Sequence, residues 1–474
     1  MREDELNILE IECGSIIAPA GFGKTQLIIE SLRKHSQSKP ILILTHTNAG
    51  VAALRNRLDK NSISSSKYCL STIDGWSIRL ASTFPIRSRC DQETLLLRNP
   101  SNDYLSIRKS VGTLLKDQHI NDIIKASYSR VLVDEYQDCS VSQHEIIVNL
   151  KAIIPTCVLG DPLQAIFGFG NDLLPNWQTD VISEFPLHGE LATPWRWINA
   201  SNEELGIWLL EVRASLLSKQ PIDLRTAPSS VQWIQLNGSN DHEARLSAAR
   251  TNSGSHENVL IIGDSKNPSA QRQFASQTPG AVTVEAVDLK DLIRFSNDFI
   301  LSDAYAINHL LTFAHEIMTN VNVTHIQQRL ETLLRGAERS EATKVELSAL
   351  AFRKFPSYKS AVNLLYEISK MEKVRVHRPA VFKACIRALN LCDENSDLTL
   401  HDSAIKMREA NRLAGRSLPS RAVGSTLLLK GLEADVVVIL NTEVLDSKNF
   451  YVAITRGSKR IIICSKLPII KFSA

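Results

Sequence analysis

The chain has 474 residues, of which 43% are hydrophobic and 22% charged, an ordinary composition for a globular protein with more than one core. Its formal net charge of +3 gives no strong sign of nucleic-acid binding, although a local groove could still hold a strand. None of the eight cysteines forms a CxxC pair, which argues against a zinc ribbon or an iron–sulfur cluster.

Short apolar runs predict buried parallel strands along most of the chain. Runs of four to six such residues, each followed by a helical pattern, are typical of an α/β sheet covered by helices. The runs are residues 14–18 (GSIIA), 40–45 (PILILT), 130–134 (RVLVD), 157–160 (CVLG), 258–263 (NVLIIG), 435–440 (DVVVIL) and 460–464 (RIIIC).

These runs predict an α/β fold with two lobes, each interrupted by a helical insertion. We assign residues 1–76 and 128–190 to the first lobe and residues 191–290 and 421–474 to the second. Residues 77–127 and 291–420 lack strand-like runs, and we predict them to be small helical insertions.

A phosphate-binding loop is predicted between the first strand and the first helix. Glycines leave backbone N–H groups free to wrap phosphates, and the following helix points its positive end at the anion. Lys24 would reach the outer phosphates and the Thr25 hydroxyl would bind Mg²⁺. The loop residues are Ala18, Pro19, Ala20, Gly21, Phe22, Gly23, Lys24 and Thr25.

Two adjacent acids follow the strand at residues 130–133, in the sequence VLVDEYQD. A metal-assisted hydrolase needs such a pair, because one carboxylate holds the cation and the other polarises the attacking water. We predict that Asp134 binds Mg²⁺, directly or through water, and that Glu135 is the base.

The sequence of these motifs resembles UvrD/Rep-type superfamily 1A DNA helicases. DEYQD at 134–138 resembles their Walker B box, and further boxes follow in the family's order: LTHTN at 44–48, STIDGW at 71–76, GDPLQAIFGF at 160–169, WR at 195–196, KGLE at 430–433 and YVAITR at 451–456. The resemblance implies that the two lobes are RecA-like P-loop domains and that the insertions correspond to reduced 1B-like and 2B-like subdomains.

The resemblance also implies roles at a nucleotide site. Gln164 would sense the γ-phosphate and Trp195 would stack on the base. Arg196 and Arg456 would touch the phosphates, the latter as an arginine finger, and Glu433 would contact the ribose. The implied cofactors are ATP and Mg²⁺.

A second set of residues would contact single-stranded or partly duplex DNA. The first-lobe boxes contribute polar and aromatic side chains, and aromatic rings can stack on bases whatever their sequence. For the aromatic candidates, packing in the protein core remains an open alternative to a contact with DNA. The candidates are His46, Thr47, Asn48, Thr72, Trp76 and Phe169.

The expected activity is ATP-driven translocation on single-stranded DNA with limited unwinding, with a 3′→5′ direction taken from the family. The expected location is cytoplasmic, because residues 1–14 lack a signal-peptide pattern and no apolar run approaches the roughly 18–20 residues that span a bilayer. With its short insertions, the chain is similar to the helicase subunit of Gabija-type phage defence. That resemblance implies a role in antiviral defence and a separate nuclease partner.

Three departures from the family pattern leave an alternative open. Residues 1–25 contain no glutamine to read adenine, Leu427 replaces a histidine before the KGLE box, and Asp74 stands where the family usually has histidine. The alternative is a DNA- or nucleotide-sensing ATPase switch that regulates a partner nuclease without processive movement. An RNA-directed motor is a third possibility.

Overall fold

The computed structural model describes residues 6–168, 173–251, 254, 257–337, 339–413 and 419–472. The chain divides into two compact units. The first comprises Met1–Trp233, Leu445–Ile461 and Leu467–Ala474, and the second comprises Ile234–Val444 and Ile462–Lys466.

The first unit is built on a six-stranded sheet. Its strands are β1 (Cys13–Ile17), β2 (Ile41–Thr45), β3 (Tyr68–Thr72), β4 (Arg130–Val133), β5 (Thr156–Gly160) and β6 (Leu187–Glu190). They pair in parallel in the order β3-β2-β4-β5-β1-β6. The central strands β2, β4 and β5 are wholly buried, as expected for apolar strands covered on both faces.

Helices cover this sheet and form an inserted cluster. They are α1 (Lys24–Lys34), α2 (Asn48–Lys60), α3 (Ile73–Thr83), α4 (Pro85–Ser88), α5 (Gln92–Leu95), α6 (Pro100–Lys116), α7 (Asn121–Ser127), α8 (Val141–Lys151), α9 (Ile182–Glu184), α10 (Trp195–Asn199) and α11 (Glu203–Leu217). Apolar residues of α3, α6 and α8 share one core with the sheet, including Trp76, Ile107 and Ile146. The inserted helices are therefore anchored by burial rather than held as a separate domain.

The remaining strands are β7 (Ile222–Asp223), β8 (Val231–Gln235), β9 (Val259–Ile262), β10 (Val282–Thr283), β11 (Met318–Thr319), β12 (Arg375–Val376), β13 (Arg421–Gly424), β14 (Ala434–Ile439), β15 (Gly457–Ser465) and β16 (Ile469–Ile470). Six of them form a second sheet in the order β10-β13-β9-β14-β15-β8. β7 pairs with β16 and β11 with β12, both antiparallel.

The second unit also contains ten helices among its described residues: α12 (Asp241–Ala249), α13 (Pro268–Gln277), α14 (Lys290–Asp298), α15 (Ala306–Ile317), α16 (Val323–Leu334), α17 (Lys344–Lys354), α18 (Tyr358–Ser369), α19 (Pro379–Glu394), α20 (Leu400–Leu413) and α21 (Thr426–Leu429). Helices α14 to α20 enclose a core of their own, in which Phe295 stacks on Phe313 at 4.1 Å between ring centroids. The last helix of the chain, α22 (Ser447–Ile454), belongs to the first unit.

The architecture confirms the predicted α/β fold class, with two six-stranded sheets of the kind found in RecA-like lobes. The lobe and insertion boundaries drawn from the sequence remain a prediction. Across the described part of the chain, none of the helices combines the length and apolarity that a membrane crossing requires.

Candidate active site

The sequence motifs of the first unit lie at one edge of its sheet. Asp74 follows β3, His46 follows β2, Asp134 follows β4, Asp161 follows β5 and the glycine loop follows β1. All five strands run parallel, so their carboxyl ends meet at the same edge, where ligands bind in open α/β sheets.

The glycine loop is shaped by two backbone conformations that other residues rarely adopt. Gly21 has φ +85° and Gly23 has φ +95°, both in the left-handed region that glycine enters without strain. Phe22 between them is buried against Trp197, with ring centroids 5.5 Å apart. α1 begins at Lys24, so its N-terminus opens at the end of this loop. Such a loop and helix end form a site for an anion.

Lys24 meets both acids of the DEYQD motif. Its Nζ lies 3.0 Å from Oδ1 of Asp134 and 2.5 Å from Oε1 of Glu135. Burial would lower the pKa of Lys24, but the two carboxylates outweigh it and raise the pKa above its ordinary value. Burial raises the pKa of Asp134, and the attraction of Lys24 offsets only part of that rise. Lys24 therefore stays charged at the centre of the site.

Glu135 is held by a buried glutamine of the same motif. Its backbone has φ +56°, an uncommon conformation for a residue with a side chain, which costs about 1–2 kcal/mol. Gln137 donates from Nε2 to Oε2 of Glu135 at 2.6 Å, and its Oε1 accepts the backbone N–H of Asp161 at 3.0 Å. This fixes the amide orientation, because only the carbonyl oxygen can accept from a backbone N–H.

Asp161 is the centre of a second, fully buried group. Arg213 of α11 donates from Nη1 to Oδ1 of Asp161 at 2.5 Å, and Gln164 donates from Nε2 to Oδ2 at 2.9 Å. Gln164 in turn accepts a hydrogen bond from Nη2 of Arg456 at 3.2 Å. Burial alone would lower the pKa of Arg213, but Asp161, Tyr451 and Glu190 together raise the pKa above its ordinary value.

A continuous path of polar contacts therefore joins the loop lysine to the arginine near the end of the chain. It runs from Lys24 through Glu135, Gln137, Asp161 and Gln164 to Arg456. All of these residues belong to the first unit. Five predicted site residues, Lys24, Asp134, Glu135, Gln164 and Arg456, thus lie in one cluster.

Trp195 and Arg196 lie against the glycine loop. The backbone N–H of Arg196 donates to the carbonyl of Gly21 at 3.0 Å, and its guanidinium donates to the carbonyl of Thr455. A Cβ atom at Gly23 would lie only 2.8 Å from Cδ1 of Trp195, so the indole needs glycine there. The ring of Trp195 is 48% exposed, which leaves a flat surface beside the loop.

The donors near Lys24 fit a magnesium ion. The hydroxyl of Thr25, in the first turn of α1, and the carboxylate of Asp134 are oxygen ligands of the kind that Mg²⁺ prefers. Within the described ranges no group of three or more His, Cys, Asp or Glu side chains is placed to hold a metal. Mg²⁺ usually takes one or two protein ligands and fills its coordination sphere with water and phosphate oxygens.

The neighbouring part of the sheet edge carries the predicted strand-binding residues. Thr47 and Thr72 cap α2 and α3 by accepting the backbone N–H groups of Gly50 and Gly75. Asn48 is exposed in the first turn of α2. Other backbone N–H groups in the first turn of a helix have no acceptor within the helix, and such donors can bind a phosphate.

The three aromatic candidates of this edge have different surroundings. The ring of His46 lies 5.8 Å from that of Phe167, near the surface. Trp76 is only 1% exposed and packs in the core, which argues against the predicted contact with a base. Phe169 lies outside the described residues.

Glu433, the predicted ribose contact, is an exposed residue of the second unit just before β14. It stays a prediction.

Two arginines of the site were not identified from the sequence. Arg213 is buried in the apolar helix α11, and Arg108 of α6 forms a bidentate ion pair with Asp74 at 2.6 and 2.8 Å. The available signal was a charge on an otherwise apolar helix face: Arg213 lies between Leu209 and Leu216, and Arg108 lies between Leu105 and Val111, at three- or four-residue spacing. Such a charge is buried only when it is paired.

Comparison with known proteins found one family model that matches part of the chain. Residues 86–178 match the model of the UvrD/REP helicase N-terminal domain, a stretch that includes the DEYQD motif and the loop from Asp161 to Gln164. No curated protein matches the chain. The match confirms the predicted resemblance to helicases of the UvrD/Rep type, superfamily 1A.

Proposed function

We propose that the chain is an ATP-driven motor that moves along single-stranded DNA in the 3′→5′ direction with limited unwinding. The observation that carries the proposal is the path of polar contacts from Lys24 to Arg456, because it links a phosphate-binding loop to an arginine far along the chain. A nucleotide at the loop would contact both ends of this path.

Hydrolysis would rest on Lys24, Glu135 and Gln137. Lys24 carries positive charge to the outer phosphates, and Glu135 accepts the proton of the attacking water. Gln137 holds the second oxygen of Glu135, which aims the first toward the loop. Mg²⁺ held by Thr25 and Asp134 would neutralise charge that develops on the phosphates.

Charge stabilisation would come from Arg196 and Arg456. Both guanidinium groups reach the segment at Thr455, one through its carbonyl and the other through its hydroxyl. Arginines in such positions stabilise the transition state of phosphoryl transfer. Gln164 would report the state of the outer phosphate to Arg456, because the two side chains are hydrogen-bonded.

Movement would follow from the position of Arg456 in the chain. The next residue begins β15, a strand that starts in the first unit and ends in the second. A shift of Arg456 when the phosphate leaves would therefore act on a continuous strand, and repeated shifts would become steps along DNA held at Thr47, Asn48 and Thr72.

The test is ATP turnover by purified variants with and without oligo-dT. We expect Lys24→Ala and Glu135→Gln to abolish turnover and Arg456→Ala to slow hydrolysis more than nucleotide binding. Lys34→Ala, near the end of the same helix α1, and Glu145→Gln, exposed on α8, are matched controls that should retain wild-type rates. Normal turnover in Glu135→Gln would contradict the role given to that acid.

The alternative is a sensing ATPase that regulates a partner nuclease without moving. It is favoured by the departures from the family pattern, namely the absence of glutamine in residues 1–25 and Leu427 in place of the histidine before the KGLE box. Displacement of streptavidin from biotinylated single strands separates the two functions. ATP-dependent displacement supports a motor, and ATPase without displacement supports a sensor.

Comparison of DNA with RNA of the same sequence tests the third possibility, an RNA-directed motor. Stronger stimulation of ATP turnover by RNA than by DNA would contradict a DNA substrate.

A further inference from the structure

We propose that Arg108 is a positioning residue for single-strand binding: it holds the carboxylate of Asp74, so that Asp74 orients the strand-binding edge instead of repelling phosphate. The proposal rests on the proposed DNA binding. It goes beyond it by giving the inserted helix α6 a part in that binding.

Asp74 stands in the first turn of α3, two residues after the helix cap Thr72. Its side chain is 20% exposed. A bare carboxylate at this place would face the phosphates of any strand that binds the edge, and like charges a few ångströms apart repel. An acid here is therefore tolerable only if its charge is balanced.

Arg108 provides that balance from the helical insertion. Its Nε and Nη2 donate to the two oxygens of Asp74 at 2.6 and 2.8 Å, a fork geometry that lysine cannot reproduce. Nη1 donates to the hydroxyls of Ser140 and Ser142 at 3.3 and 3.4 Å. One guanidinium thus joins the start of α3 to the start of α8.

The ion pair also orients a buried glutamine and a histidine. Gln143 accepts the backbone N–H of Ser140 at Oε1, 3.1 Å away, which fixes its amide. Its Nε2 therefore points to Oδ1 of Asp74, at 3.2 Å. The same Oε1 faces Nδ1 of His46 at 3.1 Å, so Nδ1 must carry the proton and donate. Arg108 is therefore linked to His46 through Asp74 and Gln143.

The test measures binding of fluorescein-labelled oligo-dT by anisotropy at several salt concentrations. We expect Arg108→Gln to weaken binding about five- to tenfold at low salt, with a smaller effect at high salt because the exposed carboxylate is screened. Lys109→Gln, exposed on the same helix, is the matched control.

The double variant Asp74→Asn/Arg108→Gln removes both charges and should recover most of the affinity, because no carboxylate is left to repel the strand. Asp74→Asn alone should bind about as well as wild type, because the amide oxygen still accepts a hydrogen bond from Arg108 and no carboxylate remains. If Arg108→Gln fails to fold, these two folded variants still decide the matter: weakened binding in both would overturn the proposal.

Two further outcomes distinguish failure of this inference from failure of the proposed function. Equal affinity of Arg108→Gln and wild type would overturn this inference alone. Failure of the wild-type chain to bind oligo-dT would instead overturn the proposed function.

Discussion

Removal of Arg213 should destabilise the first unit and slow catalysis together. The side chains of Arg213 and Asp161 are 4% and 0% exposed, so Arg213→Met leaves a buried carboxylate without its cation. Breaking a buried pair in this way costs about 3–5 kcal/mol of unfolding free energy. Asp161 keeps hydrogen bonds from Gln164 and from the backbone of Leu163, so we expect the lower end of this range.

The assay is urea unfolding followed by circular dichroism, combined with DNA-stimulated ATP turnover. Because Asp161 orients Gln164, we expect kcat to fall about tenfold or more while the KM for ATP changes little. Arg213→Lys should recover most of the stability. Glu190→Gln removes the other, half-exposed partner of Arg213 and should cost under about 1 kcal/mol. A loss in Arg213→Met no larger than in Glu190→Gln would refute the reasoning.

Three further predictions follow from other sites. Gly23→Ala should raise the KM for ATP and destabilise the loop by about 1–2 kcal/mol, because the residue has a positive φ and its new Cβ meets Trp195. Gly280→Ala is the control: it has φ +70° and open space around it, so it measures the backbone cost without the contact to Trp195. Trp195→Ala should raise the KM for ATP about fivefold or more with little change in kcat, as measured by steady-state kinetics, because base stacking contributes about 1–3 kcal/mol. Burial and neighbouring arginines lower the pKa of His377 from 6.5 to about 4, so the unfolded chain binds the extra proton between these values. Unfolding free energy should therefore fall by roughly 3 kcal/mol as the pH drops through this window, and His377→Gln should flatten the dependence in urea titrations at fixed pH.

The strands with continuous apolar runs were predictable, and the edge strands were not. β2, β4, β5, β9, β14 and β15 all coincide with predicted runs, because a strand buried on both faces must be apolar along its length. β3 (YCLST) and β6 (LHGE) lie at the two edges of the first sheet, where polar residues are tolerated. Their sequences carry no periodicity that distinguishes them from loops.

The cluster around Lys24 was predictable for a related reason. Each of its predicted members follows a strand or belongs to a recognisable box, and the sheet brings strand ends together. The partners of Asp161 and Asp74 were not predictable. Arg213 and Arg108 are 52 and 34 positions away in sequence, and no local pattern specifies such a pairing. Only the packing of α11 and α6 creates it.

The residue at position 74 shows how a departure from a family pattern can be misread. Compared position by position, an aspartate in place of histidine suggests a weakened strand-binding box. In the structure this aspartate is paired with Arg108 and orients Gln143, so the edge is organised around it. Asp74→His should therefore weaken rather than improve binding of oligo-dT, because the imidazole has no pair of oxygens for the guanidinium fork and leaves both Arg108 and Gln143 without their acceptor. We expect the histidine variant to bind less tightly than Asp74→Asn in the same anisotropy assay. Tighter binding by Asp74→His than by wild type would mean that the aspartate is a loss after all, and that Arg108 only limits the damage.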